Sequence, residues 1–520
     1  MSTIIKKIKL INFKRFKNYS IEPNDRINIL VGDNETGKSS VLEAIDLVSS
    51  GSVRRVETIG LDRLINIDSV RDVARGVKSF DELPILRIEL YLELEKPDQF
   101  MNGKNNTDRV NSDGIRLVCA PNPEYRAELT EVLTNHKDFF PYDYYSIHFS
   151  TFAGEGYAGY KRKLRVALID SVAMSHSYAT NEFVRRMYLQ YAESNERIQH
   201  KGAYRLLRNN YRTRILEKLN ERVPADKNYA FGLKTCGALG LEDDLMIYED
   251  DIGIDCKGTG RQVFIKTDFA IERAGDNVDI ILIEEPENHL SPVNLRKLIQ
   301  RVAETQKGQI FVTTHNSLIS TRLELQNLLL LHANCDGMPT TLKTLSEDTS
   351  KYFMKTPPAS IVEFALTQKA LLVEGPSEFM LIEQFYKSVS GHVPEDENVH
   401  VIDIRGLSFQ RYLEVARQTG SRVAVITDND GEFQKNCIDK YTDYTNESNI
   451  HIFFDSDNEK RTFETVLYTE NSALCDGLFG SNALNYMLNN KTEAAYRLLS
   501  QNQKIVTPDY IKRAIEWIRE

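Results

Sequence analysis

The sequence predicts an α/β chain built from two parallel-sheet halves. Three observations carry this expectation. In both halves short apolar runs alternate with segments of helical period. One of those runs ends at a glycine-rich turn of the kind that cradles phosphate. The length of 520 residues holds roughly three or four structural units at about 150 residues each.

The composition, 41% hydrophobic and 27% charged with only 15 Pro, excludes collagen-like and wholly disordered classes. With 65 Lys+Arg against 75 Asp+Glu the net charge is −10. A nucleic acid therefore has to be met by a local basic patch or through bound cations, not by the field of the whole chain. The six cysteines (Cys119, Cys236, Cys256, Cys335, Cys437, Cys475) form no C-x-x-C pair, which points to free thiols in a reducing compartment. No apolar run approaches the roughly 20 residues that span a bilayer. The expectation is a soluble cytoplasmic protein with no membrane partner.

In chain order, residues 3–13 read as a half-exposed strand and Arg26–Val31 as a buried one ending at the glycine-rich turn, with a helix from Lys38 through about Val48. Residues 85–94 read as a strand and 102–114 as a loop or hairpin turn. The region 160–222 is helical in pattern and basic, with Lys201, Arg205, Arg208, Arg212, Arg214 and Lys218 interleaved with Tyr204 and Tyr211. It is read either as a helix of a dimerisation insert or as a track for a nucleic-acid backbone. A strand-rich section is expected from Val263 to about Leu331, and a linker over 333–360. Beyond it strands at 369–375, 400–406, 422–430 and 449–454 enclose helices at 376–389 and 408–418. The domain boundaries that follow are 1–160, 161–250, 251–345, 346–365 as linker and 366–520.

Gly32-Asp33-Asn34-Glu35-Thr36-Gly37-Lys38-Ser39 matches G-x-x-x-x-G-K-[ST], directly after a strand and opening a helix. Gly32 and Gly37 let backbone N–H groups curl around phosphate oxygens, Lys38 neutralises the β/γ-phosphates and Ser39 offers its hydroxyl to Mg²⁺. Asn34 and Ser40 complete the nucleotide-binding run. Val278–Glu285 is a buried strand ending in carboxylates, Glu284 for the metal and Glu285 to polarise the attacking water. Pro286 and His289-Leu290-Ser291-Pro292 follow it, and a further strand ends at His315, suited to sensing a γ-phosphate. Three such elements in this order resemble the ABC-type ATPase heads of SMC and RecF-like proteins. The resemblance implies a head-to-head dimer in which a signature sequence from one protomer closes on the nucleotide of the other. Gly258-Thr259-Gly260-Arg261-Gln262 stands at that place, departs from LSGGQ, and also reads as a simple turn.

Glu374 ends a strand, with Glu378 one helical turn later, and Asp428 and Asp430 end another strand as D-x-D. Four acids brought together repel one another unless cations neutralise them, and hard oxygen ligands suit Mg²⁺ or Mn²⁺. Asp455 and Asp457 form a second acid pair after a strand. The E-G…D-x-D arrangement resembles the TOPRIM domain. An ABC-type head with a helical insert followed by a TOPRIM parallel-sheet domain resembles the OLD (overcoming lysogenization defect) family of ATP-dependent nucleases. The resemblance implies a two-metal DNA endonuclease using ATP and Mg²⁺ or Mn²⁺, acting as a homodimer or larger homo-oligomer, with a protein partner of an antiphage defence system in prospect. It makes Glu374, Glu378, Asp428 and Asp430 metal ligands. It adds Glu464 as a later acid and a C-terminal lysine, here Lys491 in preference to Lys504 or Lys512.

Overall fold

The computed structural model describes residues 3–76, 79–135, 140–159, 163–170, 184–185, 187–189, 191–223, 230–233, 241–272, 278–288, 290–304, 308–332, 336–355, 361–406, 408–501 and 503–520. They fall into two compact units, Met1–Asn28 with Ser39–Thr314, and Ile29–Lys38 with His315–Glu520.

In the first unit β1 (Ile4–Phe13) pairs antiparallel with β2 (Phe16–Ile21). In β1 Ile8 and Leu10 alternate onto one buried face, while Ile5, across a register shift from Lys7, and Phe13 at the strand end are buried as well. β4 (Leu86–Glu93) lies on its other side, then β6 (Ser112–Pro121), with β5 (Asn102–Gly103) and β7 (Tyr145–Thr151) both on β6. The register aligns Leu10, Ile88 and Leu117 in one row and Ile8, Leu90 and Ile115 in the next. All six are fully buried. A slip of one residue would turn both rows to the opposite face.

The same unit holds a parallel set in which β11 (Ile280–Glu284) lies between β8 (Val166–Asp170) and β12 (Gln309–Thr313). Residues Ile280 to Ile283 are buried without alternation, as expected of a strand covered on both faces. β8 corrects the expectation of a helical region over 160–222. A short apolar run has no period of its own, and it becomes a strand because β11 offers it a ladder. Arg165 anchors its start, donating from its backbone N and from Nε to Asp279 Oδ2, both at 3.0 Å.

A second correction concerns the section from Val263, which opens as the helix Thr259–Glu272 and not as a strand. Buried positions at 262, 263, 265, 266 and 267 include the i, i+3 and i+4 spacing of a helix. The basic segment does form a helix, Ser194–Asn210, continued by a π-turn at Tyr211–Ile215. Neither element buries a residue, and Ile198, Leu206, Leu207 and Ile215 are exposed beside the basic side chains.

In the second unit β3 (Ile27–Val31) runs parallel to β13 (Leu328–Leu330). The two-residue β14 (Asp336–Gly337) follows in the chain, then β15 (Thr340–Thr341), antiparallel to β13. Helices Glu347–Lys355 and Ile361–Leu366 occupy much of the stretch expected to be a linker. Beyond them β16 (Lys369–Val373), β17 (Val399–Asp403), β18 (Arg422–Ile426) and β19 (Ile450–Phe453) form one sheet in the order β17-β16-β18-β19, every pair parallel. Its core joins Leu371, Val373, Ala424 and Ile426 to Leu381, Phe385, Phe463 and Ile515 from the helices. This order sets the carboxyl ends of β16 and β18 side by side.

Candidate metal and nucleotide sites

The carboxyl edge of the four-stranded sheet gathers the acids. Glu374 follows β16 directly. Gly375 then ends the extended segment and Pro376 opens the helix Pro376–Ser390, with a fixed φ suited to the first helical position. This start puts Glu378 in the first turn, where it is buried. Asp428 follows β18, and its backbone N–H points at Glu374 Oε2, 3.4 Å away. Glu464 comes from the first turn of the helix Phe463–Glu470 and is buried. Lys491, the first residue of the helix Lys491–Ser500, stands 3.0 Å from Glu464 Oε2. Five residues from four separate stretches of chain therefore share one place.

Their electrostatics show the crowding. Burial, then the charges of Glu464 and Glu374, push the Glu378 carboxyl up to about 7, against the opposing pull of backbone hydrogen bonding and Lys491. Burial, then Glu378, Glu374 and Glu464, push Asp428 up to about 8. The phenol of Tyr510 is raised by burial and by fields that include Asp428, Glu378 and Glu464. One lysine does not offset four carboxylates.

Asp430 parts from Asp428. It is exposed and left-handed, φ 50°, and its field reaches Cys437, whose thiol burial pushes up to about 12. The two carboxylates of D-x-D are thus not presented alike, because the chain reverses between them. The intervening Asn429, which sequence reasoning passed over, is buried. Its amide donates to the carbonyls of Asp455 (2.8 Å), Asp457 (2.8 Å) and Lys460 (3.2 Å), while its Oδ1 accepts from Gly431 N (2.8 Å). Asp455 is engaged within that loop by Asp457 N (2.8 Å) and Lys460 (3.5 Å).

As they stand, no three His, Cys, Asp or Glu side chains among the described residues close on a single point as ion ligands do. The donor chemistry nonetheless fits a hard divalent cation, being all oxygen, mutually repelling and partly buried.

The phosphate-binding loop is locally formed. A Cβ on Gly32 would meet Leu331 O and Thr36 Oγ1, each at 2.5 Å, so only glycine fits there. Gly37 has φ 95°. Lys38 is buried and donates to the carbonyls of Gly32 and Asp33, both at 2.8 Å. Asn34 and Ser39 are exposed and Ser40 half-buried. In the other unit, half-buried Glu284 ends β11 opposite Thr313. Glu285 follows at φ 39°, receiving Asn288 Nδ2 at 2.8 Å and donating its N–H to Thr313 O at 3.1 Å. Glu285 is one of eleven non-glycine residues with positive φ among the described residues, a conformation such residues seldom adopt. His315 lies two residues beyond β12, and His289 is outside the described residues.

Gly258 and Thr259 are exposed, and with half-buried Gly260 they open the helix Thr259–Glu272. Gln262 turns inward, donating to Lys257 O at 2.8 Å, and Arg261 pairs with Glu249 of the hairpin β9 (Tyr248–Glu249) and β10 (Ile252–Gly253). The four cysteines among the described residues are free thiols. No helix among those residues is long and apolar enough to cross a membrane.

Comparison with known proteins divides along these sites. An AAA ATPase domain matches residues 4–169, and the TOPRIM domain of overcoming-lysogenization-defect-like proteins matches 366–430. The chain thus joins a region that matches an ATPase domain to one that matches an OLD-like TOPRIM domain. Among similar proteins, the DNA replication and repair protein RecF of Clostridium kluyveri is 45% identical over 65 residues, 12% of this chain and 17% of RecF. The Old nuclease of Escherichia phage P2 is 21% identical over 162 residues, 29% of this chain and 28% of that protein. The C-terminal region of the Burkholderia pseudomallei OLD protein aligns at 15% identity with TM-score 0.22, covering 29% of this chain and 97% of that one. The chain thus spans under a third of the length of either curated relative named here.

Proposed function

We propose that the chain is an ATP-regulated, divalent-metal-dependent DNA endonuclease. The observation that carries this reading is the gathering of Glu374, Glu378, Asp428 and Glu464 around Lys491 at the carboxyl edge of one parallel sheet. Those four acids, with Asp430 at the exposed rim, would hold Mg²⁺ or Mn²⁺. Bound there, such ions supply an activated water and neutralise the leaving oxygen of a phosphodiester. Lys491 offsets charge building on the phosphorus centre. Asn429 keeps the D-x-D turn in register with the loop after β19, so that Asp428 stays in the cluster.

In the ATPase half, Gly32, Asn34, Gly37, Lys38, Ser39 and Ser40 hold the nucleotide phosphates. Glu284 serves the metal side, Glu285 orients water and His315 senses the γ-phosphate. Gly258, Thr259 and Gly260 of a second copy complete the site, which makes the working form a homodimer or larger homo-oligomer. Antiphage defence in the cytoplasm, with a defence partner, is the setting this reading suggests. The deciding experiment incubates purified protein with plasmid and linear DNA, with Mg²⁺ or Mn²⁺, with and without ATP. Cleavage that needs metal and responds to ATP is the expected result, and loss of cleavage in Asp428→Ala with ATPase retained ties it to this cluster. ATPase without cleavage would favour a second reading, a RecF-like clamp on DNA; 65 residues of the chain are 45% identical to a protein named for DNA replication and repair.

A further inference from the structure

We propose that Arg405 and Arg461 are phosphate-binding residues that seat a DNA backbone across the carboxylate cluster, one on each side of it. The proposal rests on the nuclease reading above and deepens it. The strand order β17-β16-β18-β19 sets the carboxyl-end loops in a row. On one flank Ile404 N donates to Val373 O at 3.1 Å and Gly406 N to Glu374 O at 3.3 Å. Arg405, between them, is therefore pinned beside the first acid. On the other flank Asp430 N donates to Arg461 O at 3.1 Å. The Arg461 side chain runs along Gly431, with Nε, Cδ and Cγ 3.4, 3.5 and 3.6 Å from where a Cβ on that glycine would stand. Neighbouring strands are about 4.8 Å apart, so the two loops are separated by roughly 10–15 Å. That leaves room for one phosphate over the acids and one at each arginine.

The two flanks share a backbone device. Arg405 (φ 52°) precedes Gly406 (φ 71°), and Asp430 (φ 50°) precedes Gly431 (φ 84°). A left-handed conformation is costly for an arginine. The turn itself is held by the Arg405 backbone N–H, which donates to Asp403 Oδ1 at 2.7 Å, while the Arg405 side chain is 83% exposed and stands 3.8 Å from Asp403 Oδ2. The turn fixes the backbone and leaves the guanidinium in solvent beside the acids, where an anion can reach it.

The charge balance needs these groups. The cluster repels phosphate, and two of the cations around it are already engaged, Lys491 by Glu464 and Lys460 by Asp455. Arg461 is exposed, and among the described residues no hydrogen bond or ion pair holds its guanidinium. A planar guanidinium suits the paired oxygens of a phosphate.

The test measures binding of a fluorescein-labelled DNA duplex by anisotropy across a salt series in Ca²⁺, with plasmid cleavage in Mg²⁺ alongside. Arg405→Ala and Arg461→Ala should each weaken binding roughly tenfold and lower the slope of log affinity against log salt by about one. Mn²⁺ affinity should not change. Arg405→Lys should keep the slope. Arg405→Gly should lose it while melting no lower than wild type, because glycine relieves the left-handed strain; a purely structural arginine would give the reverse pattern. Wild type that binds and cuts, with both alanine variants keeping its slope, overturns this proposal alone. Wild type showing neither salt-dependent binding nor cleavage removes the nuclease reading and this proposal with it.

Discussion

Glu378→Gln isolates the crowding of the acid cluster. In the metal-free protein Glu378 is raised from 4.5 to about 7, chiefly by burial and then by Glu464 and Glu374. A raised carboxyl favours the fold while protonated, so its contribution is complete below pH 4.5 and is lost as pH rises through about 7. At about 1.4 kcal/mol per pH unit the loss comes to about 3 kcal/mol. Glutamine keeps the shape and carries no charge, so its stability lacks this component. The chain has a single tryptophan, Trp517. It lies on the helix Asp509–Arg519 with the Arg422 guanidinium 4.1 Å from its ring centroid and Phe453 beside it. Its fluorescence therefore reports unfolding of the TOPRIM sheet and of no other region. Urea titrations in EDTA from pH 5 to pH 8.5 should show wild type losing about 3 kcal/mol relative to Glu378→Gln. Excess Mn²⁺ at pH 8.5 should restore wild type by mass action and leave the variant closer to its metal-free value. Parallel pH profiles for the two proteins would refute the reasoning, since the carboxyl would then be neither buried nor crowded.

Other substitutions probe the remaining parts. Asn429→Ala removes an amide that three carbonyls share and should cost about 1–3 kcal/mol in the same fluorescence assay, with cleavage falling more steeply than DNA affinity; unchanged stability would deny Asn429 its tying role. Lys38→Ala should abolish tight ATP binding, measured by calorimetry, and lower the melting temperature by only a few degrees, since it removes the bonds to the Gly32 and Asp33 carbonyls but leaves the loop's glycines in place. Glu285→Gln should retain ATP and hydrolyse it slowly, accumulating a dimer visible by light scattering; wild-type turnover would take Glu285 out of the hydrolytic step. Asp428→Ala should lose cleavage and keep ATPase, and if Asp455→Ala alone is inactive the catalytic pair has been misassigned.

What could be read from the chain without a structure was whatever is local. The phosphate-binding loop declares itself because Gly32, Gly37, Lys38 and Ser39 act within eight consecutive residues. The strands that end in Glu284, Glu374 and Asp428 declare themselves because a doubly covered parallel strand is an unbroken apolar run. Glu378 follows from helix geometry one turn after Glu374. Pairing partners were not legible. Val166–Asp170 is a strand only because β11 lies beside it, and 259–272 is a helix whose apolar positions resemble a strand when taken singly. Spacing along the chain also could not show that Glu464 and Lys491 meet, since two whole helices stand between them; family resemblance suggested them and packing brought them to 3.0 Å. Nor could D-x-D reveal that Asp428 turns inward while Asp430 turns out. That division depends on a left-handed residue and on a buried Asn429 bonded to a loop from the next strand. Such bonds cross between chain segments, so the tertiary fold alone decides them.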